Sequence, residues 1–413
     1  MNSSSSSRWR RGAAAALLVA GIVSGGSSSA QESVRPEIGK PLQAAQEMIK
    51  AGRYREALGK VREAEAAGAR NANETYLIER MRLAAASGAG DAETAARSFE
   101  ALSGSGRIQP AEKLRMIESI ATSYYRAQQY QKSMQWSQRY LREGGTNGAI
   151  RTMLIQSQYL SGDFAGATKE LIAEIQAAER TGAAPAEDRL KLLLNAASKQ
   201  GDNNAYVFAM ERLVTYYPKK EYWVDLLSRM QRKPGFSDRL SLDAYRLSLA
   251  TGSMTAANDF MEMAQLALQA DLASEGKQVI DKGIANGALA TGAQADRAKR
   301  LKALVDKKLA EDAASRAEDE KQAMAAKTGD ALVSLGMYAV YNGQAAKGVQ
   351  LMQQGIAKGG LKRPEDAKLH LGIAQLAAGD KAKAQATFKT VQGTDGTADL
   401  ARLWALYARR GAA

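Results

Sequence analysis

The sequence predicts an all-α protein built from repeated pairs of antiparallel helices. Beyond Gln31, apolar residues recur at helical spacing and no alternating strand pattern persists. The helical stretches are short and end at Gly or small polar residues, and one residue pattern recurs along the chain. With 45% hydrophobic residues in 413, the chain has enough apolar surface for a buried core, which excludes a disordered protein.

The recurring residue pattern predicts turns at nearly regular intervals along the chain. It is clearest at Gly52, Gly162 and Gly379, where a polar residue follows the Gly and a small residue comes five positions after it. Weaker copies turn at Gly90, Gln128, Gly201, Pro234, Ala270 and Gly343. The successive intervals are 38, 38, 34, 39, 33, 36, 73 and 36 residues. Gly tolerates the left-handed backbone that ends a helix, so each interval predicts two antiparallel helices joined at the Gly.

Each second helix carries a small residue that we expect to face its partner helix. These positions are Ala57, Ala95, Ala167 and Ala384, and larger apolar residues follow four positions later at Val61, Phe99, Leu171, Met210 and Phe388. Four units depart from the pattern, with Ser133, Tyr206, Arg239 and Glu275 at the expected Ala position.

These residues resemble tetratricopeptide repeats. The best unit runs from Glu365 to Gly393, with Leu371-Gly372 in its first helix, Gly379-Asp380 at the turn, then Ala384 and Phe388. The preceding unit has Leu335-Gly336, Asn342-Gly343 and Met352, and Pro218 lies at an inter-repeat position. The resemblance covers residues 44–287 and 329–393 and implies an α-solenoid whose first helices line a concave binding face. The alternative is an unrelated array of helical hairpins.

The interval of 73 residues predicts one long charged helix over residues 293–327. No Gly or Pro lies between Gly292 and Gly329, and 15 of the 27 residues from Ala295 to Lys321 are charged. An apolar stripe predicts that the helix packs at its start and is solvated later; it consists of Ala298, Leu301, Val305 and Leu309. A coiled-coil dimer is the alternative, although the stripe is shorter than three or four heptads.

The domain organisation follows from these segments. We predict a signal peptide over 1–30, a solenoid of about seven units over 31–290, the charged helix over 291–328, and a repeat pair with a capping helix over 329–413. The capping helix, from Thr397 to Arg410, is expected to direct apolar residues inward; they are Leu400, Leu403, Trp404 and Tyr407.

The first 30 residues are typical of a bacterial export signal. Basic residues precede an apolar run from Gly12 to Val23, and Ser28-Ser29-Ala30 suits a signal peptidase. Removing three Arg with this segment lowers the formal charge from +13 to +10. The sequence therefore predicts a periplasmic protein cleaved near Ala30, with no transmembrane segment in the mature chain. A lipoprotein is excluded because the chain has no Cys. An uncleaved anchor and a twin-arginine signal at Arg10-Arg11 are the alternatives.

The residue counts leave little room for catalysis. With no Cys and one His, the chain lacks disulfides, Cys-based metal sites, thiol nucleophiles and a second His for a zinc site. We expect a packing or surface role for His370. No phosphate-binding or dinucleotide-binding Gly motif is present. We therefore predict no catalytic residue, no metal site, no cofactor and a protein that is not an enzyme.

The remaining candidate is a recognition surface on the first helices. Projecting the groove positions of tetratricopeptide repeats onto this chain selects eight residues: Arg115, Tyr125, Arg126, Gln156, Tyr159, Lys191, Asn195 and Lys199. Lys191 and Asn195 match the start of the carboxylate clamp of that family, but Val224, Ser228, Phe260 and Ala264 occupy corresponding positions in the next two units. The alternative is an ordinary solvated helix face.

These observations predict a non-catalytic periplasmic scaffold that binds a protein or peptide partner in the cell envelope through a basic groove. The positive charge favours an acidic partner. The alternative is a polysaccharide-binding module of an envelope export or assembly apparatus, with an anionic glycan as its ligand. Export argues against nucleic acid as a partner.

Overall fold

The computed structural model describes residues 33–409, and this range contains helices but no strand. The predicted signal segment lies outside the described residues. The chain divides into two compact units, one comprising the residues up to Glu174 with Asn195–Gly201, the other Ile175–Leu194 with the residues from Asp202 onward. This division falls earlier in the chain than the predicted boundary at the charged helix, and the predicted domains remain a prediction.

The helices of the first unit, and the two helices that the boundary crosses, follow in chain order. They are α1 (Pro36–Lys50), α2 (Tyr54–Glu65), α3 (Ala72–Ala89), α4 (Ala92–Ser103), α5 (Pro110–Arg126), α6 (Tyr130–Arg142), α7 (Gly148–Ser161), α8 (Phe164–Arg180) and α9 (Glu187–Gln200).

The second unit continues with eleven further helices and a short 3₁₀ segment, Asp238–Leu240, before its third helix. The helices are α10 (Asn203–Tyr216), α11 (Lys220–Gln231), α12 (Ser241–Thr251), α13 (Ala257–Gln269), α14 (Ala273–Ala285), α15 (Gly292–Ala325), α16 (Asp330–Tyr341), α17 (Ala345–Lys358), α18 (Pro364–Ala377), α19 (Lys381–Phe388) and α20 (Thr397–Arg409).

The predicted all-α architecture of antiparallel helix pairs, a TPR-like α-solenoid fold, is confirmed. Seven pairs run from α1 to α14 and two more from α16 to α19 in the described range. Every predicted turn joins the two helices of a pair, and at six of them a Gly has positive φ. The two non-Gly residues with positive φ in the described range, Gln128 and Asp271, lie at two of the weaker turns. The repeat therefore imposes the left-handed turn even where its residue is not Gly.

Tight packing within each pair depends on the small residues that the sequence singled out. Ala57, Ala95, Ala167 and Ala384 are fully buried. The larger apolar residues four positions later are buried as well, at 2% exposure or less. In the first unit, two apolar clusters centred on α1–α3 and α3–α7 form the core.

Polar residues at the expected Ala position all have polar partners. Ser133 Oγ donates to the Ala121 carbonyl at 3.1 Å, and Tyr206 OH donates to Asp225. Arg239 donates to Asp366 at 2.8 Å, and Glu275 accepts hydrogen bonds from Arg246. The departures from the repeat therefore mark where polar contacts replace a close apolar approach.

The predicted long helix is α15, with 34 residues. Ala298, Leu301 and Val305 are buried, as expected. Most residues of its second half are exposed, as expected; the buried exceptions are Asp312 and Ala323, and Ala323 packs in a cluster with residues of α16 and α17. Arg316 lies over the Tyr338 ring, and Lys347 pairs with Glu320 at 2.5 Å. Helix α15 therefore packs through the apolar stripe of its first half and makes isolated contacts with α16 and α17 further along.

The last helix packs as a cap. Leu400, Leu403 and Trp404 of α20 are buried, and Tyr407 is half-buried with its ring edge against Trp404. Helix α20 contacts α18 and α19 and also reaches α10 and α12 of the same unit. The second unit therefore brings its last helices back onto its first ones.

Candidate functional site

Two groups of polar residues stand out, one in each unit. In the first unit, four side chains on α5, α7 and α9 form what we call the first-helix ladder. In the second unit, three charged side chains and one histidine on α12, α14 and α18 form what we call the ionic core. The ladder consists of Tyr125, Gln156, Tyr159 and Asn195, and the ionic core consists of Asp243, Arg246, Glu275 and His370.

The ladder repeats one hydrogen bond between successive first helices. Tyr125 OH on α5 donates to Gln156 Oε1 on α7 at 2.9 Å, and Tyr159 OH on α7 donates to Asn195 Oδ1 on α9 at 2.6 Å. Each Tyr lies three positions before its turn residue, and each amide lies six positions before the next turn residue. The helical repeat therefore places the same donor and acceptor together twice.

Each Tyr of the ladder is held by a second aromatic ring. The Tyr125 ring meets Tyr130 edge-on at 5.7 Å between centroids, and the Tyr159 ring meets Phe164 at 5.4 Å. Burial raises the pKa of Tyr125, and the neighbouring Tyr130 adds to the rise. The rings hold both hydroxyls in place, and each hydroxyl fixes the orientation of the amide that it contacts.

The predicted cations flank the ladder to different degrees. Lys199 Nζ lies 5.6 Å from the centroid of the Phe164 ring. Arg115 and Arg126 are exposed on α5, and within residues 33–409 neither forms an ion pair. The carboxylate of Glu118, on the same helix, accepts a hydrogen bond from Asn147. Three exposed cations therefore lie on the same helices as the residues of the first-helix ladder.

Lys191 has a different environment from the other predicted residues. Its Nζ pairs with Glu187 Oε1 at 3.1 Å, one turn earlier on α9, and it belongs to the second unit. Hydrogen bonds from Lys219 and Tyr222, together with Lys191, lower the pKa of Glu187 to about 2. Lys191 is thus partly neutralised. The clamp positions Phe260 and Ala264 are fully buried, so they present no surface for a peptide carboxylate.

An open pocket of 430 Å³ lies at the α5–α6 turn, where the Tyr130 ring contacts Tyr125 of the first-helix ladder. Its lining side chains carry three carboxamides, two hydroxyls and one ammonium group. Its lining residues are Gln128, Gln129, Tyr130, Gln131, Lys132 and Ser161. Lys132 pairs with Glu93, which removes most of its charge from the pocket.

The ionic core of the second unit is built around Arg246. Its Nε and Nη2 donate to the two oxygens of Glu275 at 2.7 and 2.6 Å, and its Nη1 donates to Asp243 Oδ1 at 2.6 Å. All three side chains are at most 6% exposed. The Arg246 guanidinium also lies 5.4 Å from the Tyr341 ring centroid. The bidentate geometry satisfies charges that would be costly to bury singly.

His370 completes the ionic core from α18. Its Nε2 lies 3.1 Å from both oxygens of Asp243, 127 residues away in sequence. Burial alone would raise the pKa of Asp243, but the charges of His370 and Arg246 hold it well below its usual range. The half-buried His370 ring therefore contacts a buried carboxylate within the second unit, and the expected packing or surface role remains a prediction. A carboxyl with so low a pKa is poorly suited to proton transfer near neutral pH.

Sequence reasoning missed the ionic core, although one signal pointed to it. Glu275 and Arg239 were noticed as departures from the small residue of the repeat. A buried charge requires a partner, so such a departure within a packed array predicts a buried ion pair. Residues 33–409 hold no group of three His, Cys, Asp or Glu arranged for a metal ion. Within the same range, no helix is both long and apolar enough to cross a membrane.

Comparison with known proteins adds little to this description. No protein-family model matches the chain, and no curated protein matches it. Among solved structures, the chain is similar to the crystal structure of yeast Tom70, with 11% identity over 90% of this chain and 95% of the other and a TM-score of 0.24. At that level of similarity, the description of the fold rests on the helices themselves.

Proposed function

We propose that this chain is a non-catalytic scaffold that binds a protein or peptide partner of the cell envelope along the first-helix ladder. The main support for this proposal is the hydrogen bond between a Tyr hydroxyl and a side-chain amide, which occurs twice on successive helices. Each Tyr hydroxyl donates a hydrogen bond to the amide oxygen of Gln156 or Asn195. The NH₂ group of the same amide is then an oriented donor that can bind another acceptor. Neither NH₂ group has a partner within residues 33–409. Two oriented donors on successive helices suit the backbone carbonyls of an extended peptide.

The charge on this face favours an acidic partner. Arg115, Arg126 and Lys199 are exposed, and none of them has an ion-pair partner within the described chain. Such cations accelerate encounters with an oppositely charged partner and contribute less to affinity than buried contacts do. The tyrosines and their neighbouring rings supply apolar contact area.

The proposed compartment is the periplasm. Support comes from the basic and apolar segments of residues 1–30 and from the small residues that end at Ala30. Sequencing the amino terminus of protein purified from a cell-envelope fraction is expected to begin at Gln31. An amino terminus at Met1 in that fraction would contradict export with cleavage.

Photo-crosslinking in cells tests the binding face. A crosslinking residue at Gln156 is expected to capture one reproducible partner, identified by mass spectrometry. Charge reversal of Arg115, Arg126 and Lys199 to Glu is expected to abolish that capture. The matched control reverses three exposed cations on second helices of the same unit; these are Arg55, Arg142 and Lys169. Equal capture by both triple variants would contradict a role for the ladder face.

A second candidate is binding of an envelope polysaccharide, and the pocket at the α5–α6 turn favours it. Gln128, Gln131 and Tyr130 all line this pocket, and side-chain amides together with an aromatic ring suit hydroxyl-rich sugars. Retention of the protein on an immobilised anionic glycan distinguishes the candidates. Glycan binding predicts retention that falls when Tyr125 and Tyr159 are both replaced by Ala, whereas a peptide scaffold predicts no retention of either protein.

A further inference from the structure

Helix α15 has one face that packs within the second unit and an opposite face that is exposed. Ala298, Leu301 and Val305 are buried, and Asp312 and Ala323 continue the buried face. On the opposite side of the helix, side chains three or four positions apart are exposed, and we call them the outer face of α15. Its charged members are Asp296, Lys299, Arg300, Lys307, Glu311, Glu318 and Lys321. Its small members are Ala303, Ala310, Ala314, Ala317 and Ala325.

The charges on the outer face change sign in a regular order along the helix. Taken inward from the two ends, Asp296 corresponds to Lys321, Arg300 to Glu318, and Lys307 to Glu311. The two members of each pair have opposite charges, and the midpoint of each pair lies within half a residue of position 309. An antiparallel copy of the same helix would therefore place an opposite charge beside each of these six side chains, whereas a parallel copy would place like charges together.

The charges of the outer face have few partners of their own. Lys307 and Glu311 are 75% and 56% exposed and lie 3.9 Å apart, one turn from each other on the same helix. Glu318 accepts one hydrogen bond, from Gln322. Three further charges form no ion pair within residues 33–409; they are Asp296, Arg300 and Lys321. These side chains are therefore available to pair with another molecule.

The small residues of the outer face leave room for a second helix to approach. In the antiparallel arrangement centred near position 309, Ala303 faces Ala314 of the second copy, and two such contacts let the helix axes approach to about 8 Å. Leu304 and Met324 border the outer face on its two sides. Their side chains are 55% and 56% exposed, more than any other exposed large hydrophobic residue in the described chain. The face therefore offers both apolar and ionic contacts to a second helix.

We propose that two copies of this chain associate through the outer faces of their α15 helices, antiparallel about a twofold axis near position 309. The symmetry repeats each of the three opposite-charge pairs, so the same surface serves both copies. The paired segment from Asp296 to Lys321 is about 40 Å long at 1.5 Å per residue. A contact between two helices is small, so we expect a weak dimer that forms at micromolar concentration. This association does not depend on the proposed function, because it involves no residue of the first-helix ladder.

Sedimentation velocity of the purified protein, at concentrations up to about 100 µM, measures the association. The dissociation constant is expected to rise about tenfold between about 0.05 and 0.5 M salt, because salt screens the ion pairs. Two basic chains repel each other overall, so an association without these pairs would strengthen with salt instead. A dissociation constant that falls with salt, or a protein that stays monomeric at about 100 µM and low salt, would overturn the proposal.

Charge reversal tests which residues pair. Arg300→Glu with Lys307→Glu makes the outer face acidic, and Glu311→Lys with Glu318→Lys makes it basic. Each double variant is expected to self-associate about a hundredfold more weakly, because like charges then meet. An equal mixture of the two variants is expected to restore the dimer, because each pair again has opposite charges. The matched control reverses two exposed cations of the first unit, Arg55 and Arg142, and should associate like the native protein.

Disulfide cross-linking tests the antiparallel orientation, since the chain contains no Cys of its own. Ala310→Cys lies beside the twofold axis and is expected to give a disulfide-linked dimer on mild oxidation. In Ala325→Cys the two thiols would be about 48 Å apart along the helices, so no such dimer is expected. Equal cross-linking at both positions would indicate parallel or unspecific contact and overturn the proposal. A mixture of the charge-reversed variants that fails to associate, or a control as weak as these variants, would do the same.

Discussion

The two units use the same helix pair but stabilise it in different ways. In the first unit, Ala57, Ala95 and Ala167 let paired helices approach closely, and polar side chains such as the ladder residues remain at the surface. In the second unit, Arg239 and Glu275 replace the small residue and take part in ion pairs. A repeat can therefore keep its backbone while one contact changes from apolar to ionic, provided that a second charge is supplied from elsewhere.

The distance along the chain between partners also differs. The buried carboxylate of the first unit, Glu74, accepts from Arg35, 39 residues away, and this hydrogen bond lowers the pKa of Glu74 to about 2. The partner of Asp243 on α18 is 127 residues away. Contacts in the first unit join neighbouring repeats, whereas the second unit also joins its first repeats to its last.

The largest expected effect is the loss of the central cation of the ionic core. Arg246→Met leaves Asp243 and Glu275 buried without their guanidinium partner, and we expect it to lower the free energy of unfolding by about 3 to 5 kcal/mol. Urea unfolding of the full chain measures this change. Arg246→Met combined with Glu275→Leu is expected to recover part of the loss. A single-variant loss below about 1 kcal/mol would mean that the ionic core is not tightly coupled.

Glycine contacts provide the next comparison. An added Cβ at Gly348 of α17 would lie 2.6 Å from the Gly336 backbone oxygen on α16, whereas one at Gly59 of α2 meets no atom within 4 Å. We expect Gly348→Ala to destabilise the protein by about 1 to 3 kcal/mol, because the two helices must separate. Gly59→Ala is expected to stabilise it by roughly 0.5 to 1 kcal/mol. Thermal unfolding of both variants measures these changes in stability. Equal changes for Gly348→Ala and Gly59→Ala would contradict the close approach of α16 and α17.

The two left-handed residues allow a matched test with one member in each unit. Gln128 has φ of 58° and Asp271 has φ of 57°, where the stronger repeats have Gly. Gln128→Gly is expected to stabilise the chain by about 1 kcal/mol, since a side chain in this conformation is strained. Asp271→Gly should gain less, because Asp tolerates the conformation better. Chemical denaturation compares them, and a destabilised Gln128→Gly would show that its side chain stabilises the turn.

The smallest effect on stability is expected at the ladder. Tyr159→Phe removes the hydroxyl that orients Asn195 but keeps the ring against Phe164. The free energy of unfolding should change by less than about 0.5 kcal/mol, as for most surface substitutions. Binding of the captured partner should weaken about fivefold, equivalent to roughly 1 kcal/mol. Binding assays with purified partner measure this, and unchanged affinity would place the contact outside the binding face.

Much of the fold could be predicted because the repeat depends on local rules. A helix that turns back within two or three residues requires a left-handed residue, which explains the recurring Gly and makes the turn at Gln128 recognisable by position. The long helix α15 followed from a stretch without Gly or Pro. The isolated contacts of its second half could not be predicted, because Ala323 and Arg316 belong to no continuous apolar stripe.

The candidate site was predicted unevenly for a related reason. Tyr125, Gln156, Tyr159 and Asn195 were found because they occupy equivalent positions in consecutive repeats, and the structure brings them together in pairs. Their hydrogen bonds required knowledge of how adjacent repeats stack. Arg115 and Arg126 were also predicted, yet in the described chain they make no ion pair, so their role depends on the proposed partner.

The sequence by itself determined the helix pairs, their turns and the small residues between them, because backbone conformation and helical spacing depend on residues close together in the chain. Only the tertiary structure decided that His370 meets Asp243 and that Arg239 meets Asp366. Those charges come from repeats more than 100 residues apart, and no local spacing relates them. They pair because the second unit brings its last helices onto its first ones, where a buried charge is stable only beside an opposite charge.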